Sequence, residues 1–395
     1  MIFKRKLYDK LLVWKQQTAG TKALLIEGAR RIGKSTLVEE FAKNEYRSYL
    51  MIDFNKVSDS VISAFNNYMN DLDTFFLILS SEYGVRLYPK ESIIIFDEIQ
   101  QFPKARQAIK YLVADGRFDY IETGSLISIK ENVNDITIPS EERTLLMYPM
   151  DFEEFAWAMN EEPLMAYIRQ CFDKKVPLEQ GIHAKAMLLF RQYMIVGGMP
   201  KSLSAYLENN RSFEMADMEK RDILTLYRND IKKIKSGYRS SVLSIFDQIP
   251  AFLSRSERRV VMNRIEKGAS FPKYHDTFFW LSDSMIANEC FNCSDPNVGL
   301  SLNEDRTYVK CYMGDTGLLI SHTFDENEIS DGELYREILL GKLSVNEGMF
   351  YENVIAQMLV AAGHKLYFYT RYNQEKHRND MEIDFILSNH SKLRY

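Results

Sequence analysis

Apolar residues in the first 150 positions fall into short unbroken runs, separated by longer stretches with helical spacing. Residues 22–27, KALLIE, read as a short buried strand. Gly28 to Ser35 reads as a glycine-bounded loop, and 36–43, TLVEEFAK, as a helix with apolar residues on one side. Tyr49 to Phe54 fits a second strand. Ser92 to Phe96 fits a third, whose run of isoleucines suits burial on both faces. Residues 104–114 read as a helix, Tyr120 to Thr123 as a fourth strand and Thr144 to Met147 as a fifth. Strands alternating with helices predict an α/β fold built on a parallel, doubly wound sheet. After Pro149 the pattern changes. Residues 151–235 are helical in period, with Gly197-Gly198-Met199-Pro200 as an interrupting turn. Residues 240–320 mix helical and strand-like stretches. A helix is expected around 346–362, then strands at 365–370 and 381–387. There is no internal repeat and no low-complexity segment.

A chain of 395 residues exceeds one ordinary domain, so two or three domains are expected. The formal charge of −5 means that any nucleic-acid contact must come from local basic patches. No apolar run reaches membrane-spanning length, and the charged N-terminus MIFKRKLYDKLLVWKQQ lacks the apolar stretch of a signal peptide. The expected location is therefore cytoplasmic. Cys290 and Cys293 form a lone CxxC with no second ligand pair nearby, which reads as reduced thiols rather than a metal or redox site.

The segment Gly28-Ala29-Arg30-Arg31-Ile32-Gly33-Lys34-Ser35 fits the phosphate-loop pattern without a mismatch, with a strand before it and a helix after. Such a loop points backbone N–H groups at one phosphate at the positive end of a helix. ATP and Mg²⁺ are the cofactors this predicts. Lys34 would neutralise β/γ-phosphate charge, Ser35 would ligate Mg²⁺, and Thr36 would complete the nucleotide-binding set that starts at Gly28. Ile93 to Glu98 is an apolar strand ending in two acids. Asp97 is placed to hold Mg²⁺ and Glu98 to polarise the attacking water. Thr123 and Ser125, at the end of the fourth strand, are expected to face the nucleotide, to sense the γ-phosphate or orient the water.

The stretches IEGARRIGKSTL, IIIFDEIQQFPKARQAIKYL, IETGSL and ERTLLMYPMDFEEF resemble those of a large group of prokaryotic AAA-type ATPases with a C-terminal partner domain of unknown function. YMIVGGMPKSL, LYRNDIKKI, VKCYMGDTGLL and NEGMFYENVIAQML extend the resemblance over nearly the whole chain. It implies an ATPase core at 1–150, a helical lid at 151–235, a winged-helix-like module at 236–325 and a partial restriction-endonuclease-like lobe at 326–395. It also implies that Arg143, expected just before the fifth strand, contacts the γ-phosphate from the same or a neighbouring subunit of a homo-oligomer.

The basic segments 227–241 and 254–273 carry Lys232, Lys233, Lys235, Arg258, Arg259 and Arg264 with aromatic residues interleaved. They read either as a DNA-backbone face or as solvated helix surface. Glu352 and Asp384 match two acids of a metal-dependent nuclease, but no acid follows Asp384 and the chain stops before the strand that would carry acid-x-Lys. Nuclease activity is therefore not expected. Two functions stay open: an ATP-driven switch or motor acting on DNA, and a signalling or defence ATPase acting on a protein.

Overall fold

The computed structural model describes residues 1–125, 140–234, 237–255, 258–260, 271–296, 299–325, 332–342, 347–373, 378–389 and 392–394. The chain divides into two compact units, Ile2–Tyr148 and Pro149–Tyr395, the latter joined by Met1.

In the first unit the elements run α1 (Leu7–Gln17), β1 (Ala23–Glu27), α2 (Lys34–Glu45), β2 (Ser48–Asp53), α3 (Asp59–Asn67), α4 (Leu72–Tyr83), β3 (Ser92–Asp97), α5 (Pro103–Asp115), β4 (Asp119–Gly124) and β5 (Glu142–Leu146). The sheet order is β2-β3-β4-β1-β5, and every pairing is parallel. This is the expected α/β core. Its three inner strands are buried throughout, which is why their sequences read as continuous apolar runs rather than alternating ones. One face packs Leu25, Ile52, Phe96 and Tyr120 against Phe65, Phe75 and Phe76 of α3 and α4 and Ile109 and Leu112 of α5. Ring contacts such as Phe65–Phe75 (5.0 Å, 74° between planes) stiffen this layer. The same face buries charge. Arg106 of α5 forks onto Glu142 through bonds of 2.9 and 2.7 Å, and burial beside Glu142 pushes the Glu122 carboxyl well above its ordinary range.

The second unit opens with five helices: α6 (Phe152–Ala158), α7 (Glu162–Lys174), α8 (Gln180–Val196), α9 (Pro200–Glu208) and α10 (Phe213–Lys232). There follow α11 (Arg239–Leu253), α12 (Phe271–Asp283), β6 (Ala287–Cys293), β7 (Glu304–Met313), α13 (Thr316–Thr323), α14 (Glu333–Leu340), α15 (Glu347–Ala361), β8 (Leu366–Asn373), β9 (Arg378–Asn389) and β10 (Lys392–Arg394). The five strands form one mixed sheet, β10-β9-β8-β6-β7. The register Cys290↔Leu366, Phe291↔Tyr367, Asn292↔Phe368 joins β6 to β8 in parallel. Strands expected of a winged-helix-like module thus share a sheet with those expected of a separate lobe, and a boundary at 325 runs through it. Pairing satisfies a row of backbone groups that a free β6 edge would expose.

Two glycine-containing turns from distant motifs lock this unit. Gly198 N–H donates to the buried carboxylate of Asp315, which also caps α13 by accepting from Leu318 N–H at 2.9 Å. A methyl group at Gly198 would lie 2.2 Å from the Met150 carbonyl oxygen, so the backbones can approach this closely only without a side chain. Gly198→Ala should therefore lower the unfolding free energy by about 2–3 kcal/mol or more, read from urea midpoints. Gly237→Ala, where an added methyl meets nothing within 4 Å, should change it by less than about 1 kcal/mol.

Candidate functional site: a phosphate loop beside a carboxylate pair

Strand β1 lies between β4 and β5, so the loop that follows Glu27 leaves from an inner position on the sheet's carboxyl edge, where open α/β sheets bind ligands. The loop curls through Arg31 (φ 69°) and Gly33 (φ 92°, ψ 24°), both left-handed. Gly33 is the residue from which α2 departs. The helix therefore begins at Lys34, two residues earlier than its apolar spacing suggests. Alternating right- and left-handed backbone of this kind turns successive N–H groups inward as an anion nest.

Lys34 is 6% exposed, and its Nζ donates to the Gly28 carbonyl at 2.9 Å and the Ala29 carbonyl at 2.8 Å. Burial pushes its amine down to about 8, against the opposing pull of Glu98 and Asp97. Ser35 Oγ donates to Asp97 Oδ1 at 2.7 Å, and Thr123 Oγ1 donates to the same oxygen. The Glu98 N–H donates to Thr123 Oγ1 at 3.3 Å. Glu98 is left-handed (φ 55°), which turns the chain off β3 into a short 3₁₀ segment, Ile99–Gln101. From that segment the Gln100 amide donates to Glu98 Oε2.

Lys34, Ser35, Asp97, Glu98 and Thr123 are thus brought to one place. Ser125 lies buried just past the end of β4. Ala29 and Ile32 are buried, whereas Arg31 is exposed. The Ser35 hydroxyl and Asp97 carboxylate are hard oxygen donors that touch, a set suited to Mg²⁺. Arg143 lies elsewhere. It sits within β5, opposite Leu24, whereas the loop continues from Glu27 opposite Leu146. Three residues of strand, about 10 Å, separate Arg143 from that edge. Its side chain lines a cavity of about 220 Å³ with Asp9, Lys10, Val13, Trp14, Leu24 and Leu145, on the α1 side of the sheet. The expectation that it precedes the strand is corrected, and contact with a phosphate in its own loop is out of its reach.

Two residues escaped the sequence reading. Arg5 is buried and clasps the loop to the end of the β5 segment, donating to the Ile32 carbonyl at 3.0 Å and the Tyr148 carbonyl at 2.6 Å. It sits in a charged N-terminal stretch with nothing to single it out. Gln100 had a faint signal, a buried amide two residues beyond an acid pair.

Residues 20–156 match the AAA domain family. This match agrees with the five-stranded parallel sheet and phosphate loop of the first unit. Residues 187–328 match a domain of unknown function, DUF8612. No curated protein matches the chain in sequence. Among solved structures, the closed state of Hsp104 with ATPγS and FITC casein aligns at 12% identity over 73% of this chain and 52% of that one, with a TM-score of 0.33. The Aeropyrum pernix ORC1 protein in complex with DNA aligns at 9% identity over 82% and 93%, with a TM-score of 0.30. DnaA from Aquifex aeolicus with AMPPCP aligns at 10% over 72% and 90%, with a TM-score of 0.27. No described helix is long and apolar enough to cross a membrane.

The lowered Lys34 amine gives the site a pH signature. Below about pH 8 the free protein holds this amine charged, and above it the proton must be taken up as an anionic phosphate binds. ATP affinity should therefore fall as pH rises from 7 to 9, approaching about tenfold per unit above 8. Calorimetry in buffers of different ionisation enthalpy should show the matching proton uptake. A flat affinity over this range would remove Lys34 as the titrating partner of the phosphates.

Proposed function

We propose that this chain is a Mg²⁺-dependent ATPase that works as a nucleotide-driven switch. The observation that carries the reading is the convergence of the Ser35 and Thr123 hydroxyls on one oxygen of Asp97, at the mouth of the phosphate loop and next to Glu98. Lys34 exchanges the Gly28 and Ala29 carbonyls for phosphate oxygens and offsets their charge. Ser35 and Asp97 would hold Mg²⁺, which when bound screens the charge of the transferring phosphoryl group. Glu98 takes a proton from the attacking water, while the Gln100 amide fixes its carboxylate and Thr123 ties its backbone to Asp97.

A protein partner is favoured over DNA because several described cations of the basic segments are paired within the chain. Arg258 pairs with Glu352. Arg228 pairs with Asp247 at 3.0 Å and Asp325 at 2.8 Å, and Lys233 with Asp230 at 3.0 Å. Arg259 lies over the Tyr308 ring at 4.9 Å. Lys235 and Arg264 lie outside the described residues. The Arg258–Glu352 ion pair argues against a phosphate-binding face centred on Arg258.

Glu98→Gln should keep ATP binding while turnover falls about 10²–10⁴-fold. Lys34→Ala should weaken binding itself. Intact hydrolysis in the Gln variant would remove Glu98 as the base. The wild-type assay, run with duplex DNA over a salt series, should show no stimulation. Stimulation that fades as salt rises would restore the DNA reading.

Arg143 then belongs to the site of a neighbouring copy, since its own loop is beyond reach. Arg143→Ala should bind ATP normally and lose turnover by up to about 10³–10⁵-fold. Mixing it with the inactive Lys34→Ala variant should restore a measurable fraction, because each copy supplies the group the other lacks. Full activity of Arg143→Ala alone would return this residue to the surface.

A further inference from the structure

The second unit holds a cluster of charges, built around buried Lys310 and Glu352, that the nucleotide site does not use. Lys310, on β7, has no exposed side-chain surface. Its ammonium lies over the Phe368 ring on β8, 5.1 Å from the centroid. It also lies 3.1 Å from Glu352 Oε1 on α15, 3.0 Å from Asp384 Oδ1 on β9 and 3.6 Å from Glu382 Oε1. The Tyr312 hydroxyl donates to Glu352 Oε1, and Arg258 pairs with Glu352 Oε2. Two cations therefore face three carboxylates, and each Glu352 oxygen already has a partner.

Glu352 and Asp384 are the two acids that the sequence aligned with a metal-dependent nuclease. In such a site a divalent ion bonds directly to the carboxylate oxygens at about 2.0–2.6 Å. Here an ammonium from β7 stands between those oxygens, about 3 Å from each. A metal ion bridging them would have to displace it, and a buried lysine has no other place for its charge. The metal that a nuclease-like lobe implies does not fit these residues.

We infer that Lys310 is the built-in cation of this carboxylate set, holding α15 and β9 to β7 where a divalent metal would otherwise bind. The lobe is an ion-pair clamp with no metal-dependent hydrolysis of its own. Removing the lysine side-chain charge should create what wild type lacks: three clustered carboxylates without a central cation, open to a divalent ion.

The test is calorimetric titration of Mn²⁺ into the nucleotide-free full chain, with Asp97→Asn throughout so that the phosphate-loop pair contributes nothing. The parent and its Glu352→Gln variant should titrate alike. Lys310→Met should gain a Mn²⁺ site that Lys310→Met with Glu352→Gln loses. Without metal, Lys310→Met should melt several degrees lower, since the buried Glu352 loses one of its counter-charges, and Mn²⁺ should return part of that. Mn²⁺ uptake by the parent that Glu352→Gln abolishes would overturn the inference. So would a folded Lys310→Met protein that takes up no Mn²⁺. If Lys310→Met fails to fold, the parent and Glu352→Gln comparison still decides.

Discussion

Parallel strands can be joined only by crossovers that carry the chain back to its starting edge, and on this constraint the first unit depends. Five strands obeying it bring Glu27, Asp53, Asp97, Gly124 and Leu146 to the same edge of one sheet. Placing β1 between β4 and β5 then sets the phosphate loop inside that edge, with β4 beside it and β3 two strands away. Asp97 can meet both Ser35 from α2 and Thr123 from β4 because all three leave the sheet at one level. The same geometry excludes Arg143, whose strand runs in the same direction but which sits three residues short of the edge.

What the sequence made legible follows from how local each signal is. The loop from Gly28 to Ser35 and the acid pair at Asp97 and Glu98 each lie at one strand end, and a buried parallel strand advertises itself as an apolar run. Arg5 was invisible because its meaning lies in two carbonyls, at Ile32 and Tyr148, the second 143 residues away. Lys310 was read only as part of a family-like stretch, since its partners at 352, 382 and 384 are set by how β6 pairs with β8. That pairing also undid the expected boundary at 325. Period-2 patterns show that a strand exists, not which strand lies beside it. The partner of Arg258, Glu352, is likewise set by the fold rather than by any local pattern.

The two units handle buried charge by different means. In the first, Arg106 and Glu142 close on each other in a forked pair, and burial beside Glu142 pushes the Glu122 carboxyl well above its ordinary range. In the second, Asp315 is satisfied by the Gly198 and Leu318 N–H groups and the Gln357 side chain, while Glu352 is shared among Lys310, Arg258 and Tyr312. Such networks fix one arrangement of the helices around them, because any shift leaves a charge unpaired in a medium that solvates it poorly.

Lys34 ends this line of reasoning in the first unit. Its ammonium is held by two carbonyls of its own loop, which closes a hydrogen-bonded ring. Filling the site is then a substitution of one set of acceptors for another, not the satisfaction of an idle cation. The free energy released on binding is only the surplus of phosphate over carbonyl, and on departure of the product the carbonyls stand ready to take the lysine back. A loop constructed in this way gives up some grip in the ground state and gains a quick reset, so each turnover can begin from the same rigid starting point.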